Sequence, residues 1–326
     1  MRVTVLGAGA WGTALAKIAV DNEHEVTLWG RDAQLLGEIR SGGENAKYLK
    51  GVQLPSAWKL EPQLETACEG SEVLVVAVPS KGFREVLRSV SSFSGTVVTV
   101  TKGIEFESGL SMSGVLESEW PQATVAALSG PTIAREVALG MPAASVAASS
   151  DLPAAQQVQA LFHRPTFRVY TSSDVLGVEL GGALKNVIAI AAGIGDGLGF
   201  GDNSKSALLT RGIAEMRRLG VAAGAKAETF TGLSGLGDLT VTCFSPLSRN
   251  RSFGESLGRG GNASQILAAS PSVVEGVPTA RSAQQLATRL KVETPIVDEV
   301  FALLHRGKPV RAALQSLLER DSKHED

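Results

Sequence analysis

The chain opens MRVTVLGAGAWGT (residues 1–13), and that stretch decides the fold. Arg2 to Leu6 reads as a short buried strand, apolar and β-branched around Thr4. Gly7-Ala8-Gly9-Ala10-Trp11-Gly12 fits G-x-G-x-x-G, and Thr13 to Val20 (TALAKIAV) reads as the helix that follows. Strand, glycine turn and helix in that order are the setting in which the motif carries meaning. Gly7 permits the tight turn, Gly9 lets a pyrophosphate approach the backbone, and Gly12 lets the helix pack on the strand. The helix start then offers free N–H groups and a partial positive charge to phosphate. A turn that is merely rich in glycine is the alternative, and the flanking strand and helix weigh against it.

Working outward, Glu25 to Trp29 (EVTLW) is a second strand that ends in Gly30-Arg31-Asp32. In dinucleotide folds an acidic residue here holds the ribose hydroxyls of NAD, whereas a cation suits the 2′-phosphate of NADP. Arg31 favours NADPH and Asp32 keeps NADH open. Asp32 reads equally well as the N-cap of a helix from Ala33 to Ile39. Residues 41–60 read as a loop. Apolar strands follow at Glu72 to Val78, Thr96 to Val100, Thr124 to Leu128, Ala143 to Ala148 and Phe167 to Thr171. Strands alternating with helical patterns specify an α/β, Rossmann-like, doubly wound and mostly parallel sheet. Ligands bind beyond the C-terminal strand ends of such sheets. That rule gathers Gly7–Gly12, Arg31, Pro79-Ser80, Lys102 and Ser129–Thr132 on one edge.

From Asp174 onward the strand patterns stop. Leu176 to Ile194 (LGVELGGALKNVIAIAAGI) is a nearly uncharged helical run, which suggests a central helix covered on every side. Further helices are expected at Lys205 to Leu219, Val221 to Ala225, Glu228 to Thr231, Gly254 to Leu257, Ser264 to Ala269, Thr279 to Thr288, Pro295 to His305 and Pro309 to Leu318. The expected division is therefore residues 1–173, nucleotide-binding, and 174–326, all-helical and catalytic. The charged end from Arg320 is expected to fray.

With 326 residues, two domains are the natural expectation. The net charge of −2 gives no bulk attraction to nucleic acid or membrane, so an anionic substrate needs a local cation cluster. The first apolar run is consumed by the glycine turn, unlike a signal peptide, and no run is expected to reach the ~20 residues of a span; a cytoplasmic protein is expected. Cys68 and Cys243 form no CxxC pair, and the four histidines have no metal-ligand spacing, so no metal is expected.

The acid or base must then be a lysine or a carboxylate. Lys185 interrupts the apolar helix; burial would lower its pKa into a useful range, while a snorkelling lysine is the bland reading. Asp238, in Gly235-Leu236-Gly237-Asp238, is suited to pair with Lys185, or else to cap a helix. Ser248-Arg249-Asn250-Arg251 offers a guanidinium beside hydroxyl and amide donors, a phosphate clamp if it is not simply a solvated basic loop.

With those pieces assembled, the chain resembles the soluble NAD(P)-dependent glycerol-3-phosphate dehydrogenase family. The resemblance is carried by GAGAWGTALA from Gly7, LWGRD from Leu28, TKGIE from Thr101, LSGPTIARE from Leu128, LGGALKNVIAIAAGIGDGLGFGDN from Leu180, GLSGLGDLTVTCFSPLSRNRSFG from Gly232 and VVEG from Val273. It implies that Lys185 donates and accepts the proton and that Lys102 touches both nicotinamide and substrate. Asp238, Ser248, Arg249 and Asn250 would hold substrate, with Gly130, Thr132, Asn186 and Thr242 lining the same pocket. Gly7, Gly9, Ala10, Trp11, Gly12, Arg31, Gly130, Ala134, Arg249, Val273 and Glu275 would contact NADP(H) or NAD(H). The implied reaction is reversible reduction of dihydroxyacetone phosphate to sn-glycerol 3-phosphate, feeding phospholipid synthesis; a homodimer stays open. Rivals are a two-domain dehydrogenase of a β-hydroxyacid or an opine, a non-catalytic NADPH sensor, and a helical interaction module.

Overall fold

The computed structural model describes residues 1–270 and 273–321. Eight strands form one sheet: β1 (Arg2–Leu6), β2 (Glu25–Trp29), β3 (Lys59–Glu61), β4 (Val73–Val76), β5 (Thr96–Thr99), β6 (Thr124–Ser129), β7 (Ala143–Ala148) and β8 (Phe167–Ser172). Their order is β3-β2-β1-β4-β5-β6-β7-β8. The helices that accompany them are α1 (Ala10–Asp21), α2 (Ala33–Gly42), α3 (Leu64–Cys68), α4 (Phe83–Arg88), α5 (Met112–Glu119), α6 (Ala134–Ala138) and α7 (Leu152–Phe162). After Ser172 every described element is helical: α8 (Val175–Gly197), α9 (Asp202–Ala222), α10 (Asp238–Phe244), α11 (Arg249–Gly258), α12 (Ala263–Ala269), α13 (Gly276–Leu290), α14 (Pro295–Arg306) and α15 (Val310–Leu318).

All of β4 (VLVV) and all of β5 (TVVT) are buried, as strands covered on both faces must be. Alternate residues feed two cores. Val73 and Val75 face a cluster with Leu15, Ile18 and Phe162, while Leu74 and Val76 face one with Phe83, Leu87 and Met112. The strands from β3 to β6 are parallel, so the ends of β1, β2, β4, β5 and β6 share one edge. Beyond β6 the direction reverses: β7 is antiparallel to β6, and β8 is parallel to β7. The start of β7 therefore lies beside the end of β6, where Ser145 Oγ donates to the Ser129 carbonyl at 2.9 Å.

Several elements depart from the sequence expectation. The loop expected at 41–60 contains β3, a three-residue edge strand too short to show a period. The two helices expected on either side of Gly220 are one, α9. Gly220 is retained because the Phe230 ring packs against it; a Cβ there would lie 2.0 Å from the ring. Glu228 to Thr231 belongs to a tighter 3₁₀ turn, Ala227–Thr231. The SRNR segment is not a loop: Ser248 caps α11 and Arg249 begins it. By length and composition α8 could cross a membrane, against the expectation from its sequence, but 83% of its apolar window is buried inside this protein. Of the charged end, residues 322–326 lie outside the described residues; Arg320 Nη2 sits 3.3 Å from a Glu293 carboxylate oxygen.

The helical body is built around α8. Its Leu184, Val187 and Ile188 pack with Leu209 and Met216 of α9, Phe253 of α11, Ala283 of α13 and Val297 of α14. Glycines set how closely α11 approaches. A Cβ on Gly193 would lie 2.0 Å from the Arg251 carbonyl oxygen, and one on Gly254 would lie 2.1 Å from that of Ile190. The two backbones touch, and no larger residue fits between them. Gly254→Ala should therefore lower the unfolding free energy by about 1–3 kcal/mol. Gly37 of α2, where a Cβ would meet nothing within 4 Å, is the control; Gly37→Ala should add about 0.5–1 kcal/mol. Chemical denaturation of both variants checks this, and equal shifts would refute the packing account.

Candidate active site

The glycine turn fits a dinucleotide in this structure. Gly7 has φ +126°, and a Cβ there would lie 2.7 Å from the Ala77 carbonyl oxygen. A Cβ on Gly12 would lie 1.9 Å from the Gly7 oxygen, so Gly12 holds helix against turn. Over Gly9 a Cβ would meet nothing within 4 Å. Gly9 is also the N-cap of α1 and has no side chain to occupy the N–H groups of the first helical turn. An open approach to unpaired backbone donors is what a pyrophosphate requires. Ala10 and Trp11 begin α1, Trp11 packing edge-on to Phe167 at 6.3 Å between ring centroids. Ala134 begins α6, which packs on α1. Arg31 lies exposed just beyond β2.

Further along the same edge, Thr101 Oγ1 donates to the Val78 carbonyl at 2.7 Å and pins the turn after β5. Lys102 projects from that turn. Its Nζ donates to Asp238 Oδ2 at 2.6 Å and to the Gly130 carbonyl at 3.1 Å. From the opposite side Lys185 Nζ, on α8, donates to Asp238 Oδ1 at 2.8 Å and to Thr242 Oγ1 at 2.7 Å. Thr242 Oγ1 lies one helical turn beyond Asp238 and donates back to the Asp238 carbonyl at 2.6 Å. Thr132 Oγ1 donates to the Gly130 carbonyl at 3.1 Å. One carboxylate thus bridges a lysine of the sheet edge and a lysine of the helical body.

Burial acts on both ends of that bridge. Lys185 is 6% exposed and Asp238 is 1% exposed. Desolvation dominates at Lys185 and, helped by the Lys102 charge, brings its pKa down to about 8 although Asp238 pulls the other way. At Asp238 burial pushes upward, but the two ammonium groups and their hydrogen bonds outweigh it and hold the carboxyl below the usual range. The pair is a charged carboxylate with an amine that loses its proton far closer to neutral pH than a free lysine does. Such an amine can serve as both donor and acceptor. Cys243, beside Thr242, is the reverse case: burial pushes its thiol up to about 12.

A second set of groups adjoins the first. Asn186 follows Lys185, and its Oδ1 accepts from Asn250 Nδ2 at 2.8 Å. Asn250 Oδ1 accepts from the Gly276 N–H at 2.9 Å. Arg249 is exposed, with Nη1 donating to the Val273 carbonyl at 2.9 Å. Ser248 is turned to local work: its hydroxyl accepts from the Arg251 N–H at 3.2 Å as the cap of α11. Glu275 reaches across to the end of β4, accepting from Ser80 Oγ at 2.6 Å and from its N–H at 3.3 Å. Val273 and Glu275 therefore lie on the sheet-edge side of the helical body.

Sequence reasoning missed supports of this site. Gly182 lets α8 lie against β6, since a Cβ there would be 2.6 Å from Ser129 Oγ. Asp196 ion-pairs at 2.7 Å with both Lys205 Nζ and Arg251 Nε, tying the end of α8 to α9 and α11. Asp196, Lys205 and Arg251 are each legible in the sequence as charges, but their convergence is not. Among the described residues, no group of three His, Cys, Asp or Glu side chains is arranged to hold a metal.

A glycine-turn nucleotide fold whose sheet edge meets a lysine–carboxylate pair on a helical body defines a nicotinamide-dependent oxidoreductase. Residues 2–155 match the family described as NAD-dependent glycerol-3-phosphate dehydrogenase N-terminus, and residues 174–315 match its C-terminus. The chain belongs to the NAD-dependent glycerol-3-phosphate dehydrogenase family. It is 48% identical to glycerol-3-phosphate dehydrogenase [NAD(P)+] of Geobacter metallireducens, over 99% of this chain and 98% of that one. It is 46% identical to the enzyme of the same name from Bacillus pumilus, over 99% and 96%. A crystal structure of glycerol-3-phosphate dehydrogenase from Coxiella burnetii superposes with TM-score 0.93 at 36% identity, covering 98% of this chain and 99% of that one.

Asp238→Asn removes the charge that holds the Lys185 proton while leaving burial and Lys102 in place. The Lys185 titration midpoint should fall from about 8. Lysine NMR on protein labelled at the side-chain carbon next to Nζ reads this directly; an unmoved midpoint would mean the carboxylate does not set it.

Proposed function

We propose that this chain reduces dihydroxyacetone phosphate to sn-glycerol 3-phosphate, reversibly, at the edge where Lys102, Asp238 and Lys185 converge. The observation that carries the proposal is the bridged pair of ammonium groups held by one buried carboxylate. Gly7, Gly9, Gly12 and the α1 N-terminus would hold the pyrophosphate of NAD(P)H, and Arg31, Ala10, Trp11, Ala134, Val273 and Glu275 would line the remainder of the cofactor. When bound, the cofactor supplies the hydride for the carbonyl carbon.

The chain's own residues do the rest. Lys185, in its ammonium form, gives a proton to the carbonyl oxygen and leaves as a neutral amine, to be recharged from solvent. In the oxidative direction the neutral amine accepts that proton from the hydroxyl. Lys102, the second cation on Asp238, favours negative charge building on the same oxygen. Asp238 keeps both amines aimed at one point, and Thr242 fixes Lys185 from the far side. Arg249, with donors beyond the one given to Val273, grips the phosphate, with Asn250 and Asn186 beside it. Gly130 and Thr132 close the sheet side of the pocket. The division at residue 174 separates the part that would hold the cofactor's pyrophosphate from the part that carries acid and clamp. We assign the reaction to the cytoplasm, with the product supplying phospholipid synthesis.

The direct test is consumption of reduced nicotinamide absorbance with dihydroxyacetone phosphate, using NADPH and NADH in turn; no consumption with either would reject the assignment. Lys185→Ala should lower turnover by at least ~10²-fold with cofactor affinity little changed; near-normal turnover would remove Lys185 from the mechanism. Arg249→Ala should raise the KM for dihydroxyacetone phosphate by ~10- to ~100-fold, the loss expected for hydrogen bonds to a charged group. An unchanged KM would favour a dehydrogenase whose substrate has no phosphate.

A further inference from the structure

The segment after α2 is a wall of the nucleotide site. Asn45 is fully buried, and its Nδ2 donates to the Ala8 carbonyl at 3.0 Å and to Thr13 Oγ1 at 2.9 Å. Its Oδ1 accepts from the Tyr48 N–H at 3.2 Å, and its carbonyl accepts from the Leu49 N–H at 2.7 Å. Leu49 and Val52 then pack with Ala14 of α1 and Ala138 of α6. The turn from Asn45 to Leu49 is thereby fastened to the glycine turn and to the start of α1.

Lys47 projects from this turn toward the end of β2. Its Nζ lies 3.4 Å from Asp32 Oδ2 and 5.2 Å from the centre of the Tyr48 ring. The other oxygen of Asp32, Oδ1, accepts from the Leu35 N–H at 3.1 Å and caps α2. Both carboxylate oxygens are therefore engaged, one by a helix and one by a lysine. Arg31, the residue before Asp32, is exposed, and so is Lys47. The strand end presents two cations and a carboxylate already in use. A ribose with a free 2′-hydroxyl would want that carboxylate as its acceptor, whereas a 2′-phosphate wants the cations.

We propose that Lys47 reads the 2′-phosphate of the cofactor together with Arg31, and that Asp32, committed as the α2 cap, does not serve the ribose, so that the site selects NADP(H) over NAD(H). This rests on the nicotinamide-dependent reading of the site. Lys47 contributes a mobile point charge on a pinned turn, and Arg31 a planar fork from the strand end.

The test is calorimetric titration of the intact protein with 2′,5′-ADP and with 5′-AMP, which differ only in the 2′-phosphate. Lys47→Ala should weaken 2′,5′-ADP about tenfold, as for one charge-assisted contact, and leave 5′-AMP within about twofold. Lys47→Arg should keep the discrimination, and added salt should erode the 2′,5′-ADP affinity of the wild type more steeply than that of Lys47→Ala. Equal losses for both ligands, or no loss for either, would overturn the role of Lys47. A wild-type protein that binds 2′,5′-ADP no better than 5′-AMP would overturn the selectivity. Binding of neither ligand to the wild type would sink the cofactor reading itself, an outcome distinct from the other two.

Discussion

Two ammonium groups cannot lie side by side in a dry cleft without an anion between them, and Asp238 is that anion. Its two oxygens are divided, one to Lys102 at the sheet edge and one to Lys185 on α8. The carboxylate is therefore an electrostatic device and also a strut across the cleft. Removing one partner of so deeply buried an ion pair typically costs about 3–5 kcal/mol, because the group left behind keeps its charge without solvent. In this arrangement the desolvation that lowers the Lys185 pKa also strengthens its attraction to Asp238. Chemistry and cohesion draw on one environment and cannot be tuned separately.

Glycine placement makes that environment dry. Gly181 of α8 runs so close to the turn before α10 that a Cβ would lie 2.7 Å from the Ser234 carbonyl oxygen. Gly182, next in the chain, sits against Ser129 and the Lys102 stem. With both sides of α8 in near-backbone contact, Lys185 three residues on has few directions in which to point. Farther along, Gly193 and Gly197 seat α11, so Asn250 meets Asn186. The glycines that weaken α8 as an isolated helix are thus those that seat Lys185 against Asp238 and Asn186 against Asn250.

Some of this was readable from residues alone. The glycine turn announces itself because its three constraints act within six residues of one another. The expensive Lys185 stood out against an apolar run. Other features were hidden for physical reasons. The reversal at β7 depends on how a short connection folds over β6, which no strand period records. The SRNR segment looked like a loop because a run of polar residues has no apolar face, yet Ser248 caps a helix there. Asn45 looked like an ordinary loop residue; its burial follows from the approach of residues 8 and 13, far from it in sequence.

Cys243 follows Thr242 in α10 and lies wholly buried in the apolar core of the helical body, with its thiol pushed up to about 12. A thiol held this far up has little of the thiolate character that peroxide or an alkylating reagent attacks. The sulfur that follows Thr242 therefore serves as core packing and not as a reactive thiol.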